Sequence, residues 1–278
     1  MLALLLSTLL AAATAAPAPT DTPSPTPQHL LALIRAKFRT HRPPPPFEVY
    51  TIERKQLTDQ GYPDYVESYK EHVWVRNTDQ AALSRRMYRN INRGDPVFER
   101  PEFNEDRDPG PPTADLFEPA PLHKHPLSFV PTPEPAASAL PLIGSVTAVG
   151  EFDYHVNSVE TAGDQLHLTV SPIRDPDRNR LREIWVDAKT LELRKIVATD
   201  KLFILGTSDV YGVTFTITVG SLQGIPVATD IHGVVGDGYN GDGSTVDYSF
   251  RDISFPTTLP DWYFDQGLYK GHMNDLPL

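Results

Sequence analysis

The sequence predicts a mainly β (α+β) fold, a curved antiparallel sheet of about ten strands covered by one N-terminal amphipathic helix. Three observations predict it. First, Leu166, Leu168 and Val170 alternate with Gln165, His167 and Thr169, which gives a strand one apolar and one wet face. The turn Arg174-Asp175-Pro176-Asp177-Arg178-Asn179 stops that strand, because Pro176 has no amide hydrogen to give to a ladder. Runs Leu181 to Asp187 and Leu191 to Ala198 follow, joined by Ala188-Lys189-Thr190, so this region is an antiparallel meander. Second, Val213, Phe215, Ile217 and Val219 alternate with Thr214, Thr216 and Thr218, the clearest two-faced strand of the chain. Third, helical spacing is convincing at one place only, Gln28 to Thr40, where Leu30, Leu31, Ile34 and Phe38 form one stripe.

Taken in order, residues 1–16 read as a signal peptide. The apolar run Leu2 to Ala13 is too short to span a bilayer as a helix, and A-x-A choices such as Ala13-Thr14-Ala15 follow it. The expected product is exported, periplasmic or extracellular, with no transmembrane segment after signal removal. Residues 17–27 are a Pro/Thr-rich linker. Thr26 then serves as an N-cap and Pro27 takes the first helical position, where its missing amide costs nothing. Pro43-Pro44-Pro45-Pro46 ends the helix. Strands are expected over 47–56, 65–77 and 82–91, turning at Asp59 to Pro63 and at Thr78-Asp79-Gln80. On the first, Tyr50 and Ile52 face one way and Phe47, Val49 and Thr51 the other.

Residues 93–138 interrupt the pattern with 11 prolines, and up to Glu118 eight acids face three arginines. So long a connection without periodicity is a disordered segment or a functional lid, with Leu116, Phe117, Leu127, Phe129 and Val130 as candidate anchors. Strand patterns return from Leu140, with Phe152 and Tyr154 on one face. Residues 201–211 read as an irregular connection, 225–234 as a strand, 236–243 as a hairpin loop, and Val246, Tyr248 and Phe250 as the face of the last long strand. Residues 28–256 form a single half-barrel domain on this reading and 257–278 a C-terminal tail.

Composition removes several function classes. The net charge of −11 disfavours nucleic acid and anionic headgroups as partners. The absence of cysteine excludes disulfides, thiolate metal sites, thiol nucleophiles and a lipid-modified cysteine. Nucleophile elbows, zinc helices, Walker loops and dinucleotide-binding turns do not occur. His123-Lys124-His125, the Asp237, Asn240 and Asp242 loop, and His155 with His167 lack the partners a metal or catalytic site needs. They read as solvated loop and surface residues. No catalytic residue, metal site or cofactor is expected; the chain is not expected to be an enzyme.

The exported helix followed by paired long strands, with Trp185-Val186-Asp187 closing one strand and Thr190 in the turn after it, resembles the LolA/LolB-like lipoprotein-carrier superfamily. The resemblance implies an incomplete antiparallel barrel over a hydrophobic cavity plugged by helices. It departs at the long acidic insertion, which stands where plug helices would, and at the missing cysteine, which excludes the membrane-anchored acceptor type. The family's functional arginine maps onto no arginine here. A curved sheet with large apolar residues on its concave face packs a helix there or binds something apolar. Candidate ligand-binding residues of that face are Phe152, Tyr154, Leu166, Leu168, Trp185, Val213, Phe215, Ile217, Tyr248 and Phe250. The expected function is an exported carrier that shields a lipid, acyl chain or lipidated protein. The alternative is a non-enzymatic envelope interaction or sensor module contacting other exported proteins through the acidic insertion.

Overall fold

A computed structural model describes residues 25–41, 45–58, 65–79, 81–91, 101–103, 110–117, 154–176, 178–203, 210–236, 244–272 and 274–275. The sequence readings for residues 1–24, most of 93–138 including the histidine pair, Phe152 and the 237–243 loop lie outside the described residues.

The helix, α1, spans Pro27–Phe38 and begins as its sequence dictates: the Thr26 side chain accepts from the His29 amide at 3.3 Å, with Pro27 in the first turn. A short 3-10 turn, Arg39–His41, ends it. Leu30, Leu31, Ala32, Ile34 and Phe38 are buried. Among the described residues eleven strands form one sheet: β1 (Phe47–Thr58), β2 (Tyr65–Arg76), β3 (Ala81–Ile91), β4 (Pro101–Phe103), β5 (Tyr154–Ala162), β6 (Gln165–Pro172), β7 (Leu181–Asp187), β8 (Leu193–Phe203), β9 (Val210–Leu222), β10 (Ile225–Val235) and β11 (Thr245–Ser254). Their order is β4-β3-β2-β1-β11-β10-β9-β8-β7-β6-β5, and every neighbouring pair is antiparallel. The sheet is open and curved, with β4 and β5 at its edges.

Two meanders, β1 to β4 and β5 to β11, are thus stitched into one sheet by β1 pairing with β11, for example Ile52 opposite Phe250. The sequence reading holds for most strands and fails at two. Lys201, Leu202 and Phe203 are not an irregular connection: they extend β8 and pair with Gly212, Tyr211 and Val210 of β9. Pro101–Phe103, inside the acidic insertion, pairs with β3 as β4. Both errors have one cause: pairing with a neighbouring strand fixes extended backbone where local periodicity is weak.

The inner face, on which α1 lies, carries a core without a break in the strands beneath it. Under α1 it contains Tyr154, Val156, Leu168, Val170, Leu181, Ile184, Val186, Ile196 and Val219. Further along it contains Tyr50, Ile52, Val73, Val75, Val213, Ile231, Val235, Val246, Tyr248 and Phe250, and Ile217 packs against both groups. Gln28 of α1 also closes part of the β5 edge: its amide donates to the Tyr154 carbonyl at 2.9 Å and accepts from the Val156 amide at 3.4 Å. The outer face of β1 to β3 is covered by the C-terminal segment, where Tyr263 is fully buried against Val49, Trp74 and Leu83. Tyr263 meets Trp74 edge-on at 5.5 Å.

Candidate functional site

Cross-strand register assembles the inner face into rows. Starting at β5, one row runs Val159, Leu168, Ile184, Ile196, Ile217, Ile231, Tyr248, Arg54 and Tyr69, each residue opposite the next across a strand pair. It is aliphatic from β5 to β10 and then changes character at β11, β1 and β2. Arg54 and Gln56 share the inner side of β1 with Tyr50 and Ile52, because strand side chains alternate, and all four are buried.

The polar end is built from hydrogen bonds and ring contacts. Arg54 Nε donates to the Tyr248 hydroxyl at 3.3 Å, and its Nη2 donates to Gln56 Oε1. The guanidinium lies 5.6 Å from the Tyr69 ring centroid and 5.7 Å from that of Tyr248, within cation–π range of both. Glu71, opposite Ile52, is buried on the same face. A buried cation and a buried amide on an apolar sheet lose hydration, and partners of this kind offset that cost.

Phe215 shapes the neighbouring surface. It lies across Gly233 of β10, where a Cβ would stand 2.6 Å from the Phe215 ring and 2.7 Å from Val246. Only a glycine leaves room for that ring between β9 and β11.

A strap, residues 110–117, crosses the inner side. The Ala228 amide donates to the Pro112 carbonyl at 2.8 Å, and the Thr113 hydroxyl donates to the buried Glu48 carboxylate at 2.6 Å. Arg39 of α1 holds Asp115 at 2.7 Å, and Phe117 meets Phe38 edge-on at 5.3 Å. Of the anchors expected from the insertion, Phe117 is buried and Leu116 packs against the core under α1.

Of the candidates read from the sequence, Tyr154, Leu166, Leu168, Val213, Phe215, Ile217, Tyr248 and Phe250 share the inner face by register and core membership. Trp185 does not. It follows Ile184 and precedes Val186, both fully buried, so alternation turns it to the outer face. There its ring stacks on His167 at 3.8 Å, the Lys195 ammonium lies 3.9 Å from its centroid, and its Nε1 donates to Glu183 at 3.4 Å. His155 is exposed opposite Ser171, whereas His167 lies opposite Glu160, so the two histidines stand apart on β5 and β6.

Sequence reasoning missed Arg54, Gln56 and Glu71, because Glu53-Arg54-Lys55-Gln56 looks wet on both sides. The available signal was parity with Tyr50 and Ile52. On the outer face, His72 Nδ1 lies 3.0 Å from the Thr51 hydroxyl, and its ring meets Trp74 edge-on at 4.5 Å. Burial holds its pKa below the ordinary imidazole value; Arg85 and Lys70 add to the depression and Asp252 opposes it. Among the described residues no group of three metal-ligating side chains occurs, and no helix is long and apolar enough to cross a membrane.

No protein-family model matches the chain, and no curated protein matches it. Solved structures do. The chain is similar to a LolA superfamily protein from Nitrosomonas europaea, at 11% identity and TM-score 0.36, covering 84% of this chain and 97% of that one. A DUF1329 family protein from Desulfovibrio piger aligns at 14% identity and TM-score 0.38 over 86% and 96% of the two chains. An outer membrane lipoprotein-sorting protein domain from Vibrio parahaemolyticus aligns at 10% identity and TM-score 0.37 over 87% and 97%.

Proposed function

We propose that this chain is an exported, non-enzymatic carrier that shelters an apolar ligand, a lipid, acyl chain or lipidated protein, on the inner face of its sheet. The observation that carries this reading is the extent of the apolar face. It continues from β5 across β9 to β2, whereas α1 packs only against the cluster from β5 to β9. A sheet whose only task was to seat one helix of 12 residues needs no second apolar field of Tyr50, Val213, Ile231, Val246 and Phe250.

The strap joins helix to sheet: it meets the sheet at the Ala228 amide and the Glu48 carboxylate, and meets α1 through Phe117 and Asp115. Helix and strap together cover the core from β5 to β9.

Native purification from an exporting host, followed by solvent extraction and mass spectrometry, tests the reading. Lipid or acylated peptide at near-stoichiometric yield supports it. A ligand-free protein that also fails to take up radiolabelled fatty acid or phospholipid from vesicles overturns it.

A further inference from the structure

We draw no further inference here: the strongest candidate, the helix-free apolar field of the inner face around Tyr50, Val213, Ile231, Val246 and Phe250, belongs to the site already described, and nothing in the structure shows what covers it.

Discussion

The two halves of the inner face belong to one sheet and are unequal in chemistry. Under α1, Leu168, Ile184 and Ile196 are fully or nearly fully buried with Leu31 and Ile34 of the helix, and the packing is aliphatic. Around β1, β2 and β11, burial is as complete, yet it takes in Arg54, Gln56, Glu71 and Glu48. The first half has the composition of a core whose task is stability. The second spends desolvation on groups that stability does not need, because similar-volume apolar residues in their place are commonly neutral or stabilising.

The largest expected effect falls in the aliphatic half. Ile184→Ala should lower unfolding stability by about 2–5 kcal/mol, read by chemical denaturation. A loss below about 1 kcal/mol would mean that the core under α1 is loosely packed.

Next comes the surface between the halves. Gly233→Ala places a methyl group where the Phe215 ring and Val246 stand, and overpacking of this kind costs about 1–3 kcal/mol. Gly233→Ala/Phe215→Leu should recover part of that loss. Equal melting of the single variant and wild type would show that the Phe215 ring moves aside without cost.

Thr113→Val removes a donor from the buried Glu48 carboxylate and should cost on the order of 1–3 kcal/mol. Its signature is local: the Ala228 amide, held by the Pro112 carbonyl, should exchange faster with solvent than amides of β7. Uniform acceleration across β7 and β10 would show that the strap is part of the global core.

The smallest effect is on the outer face. Folding depresses the His72 pKa, so the unfolded chain takes up the proton first. The contribution is fully present above the unfolded imidazole value, about 6.5, and is lost as pH falls from there toward the folded value. His72→Gln should flatten this part of the stability–pH profile, measured as denaturation midpoints between neutral and mildly acidic pH. An unchanged slope would remove His72 as its source.

Much of the architecture was legible in the chain because it depends on near neighbours. The N-cap at Thr26, the span Leu181–Asp187 and the two faces of β9 follow from capping and period-2 alternation. Trp185 shows the limit. By sequence it is a ligand-binding candidate of the concave face, yet it stands between two fully buried neighbours, and period 2 leaves it no place on their side. Its apolar surface is covered instead by His167 and Lys195 from the adjoining strands.

By itself the sequence determined most of the strand segments, where the helix starts and the alternation of faces along strands such as β9. These are outcomes of backbone sterics and local patterning. Only the tertiary structure decided that β1 lies beside β11, nearly two hundred residues later in the chain, as the pairing of Ile52 with Phe250 shows. That pairing turns a polar-looking Arg54 into a buried cation between Tyr69 and Tyr248. Burial belongs to the partners a residue meets, and those partners are supplied by distant strands that no local pattern names.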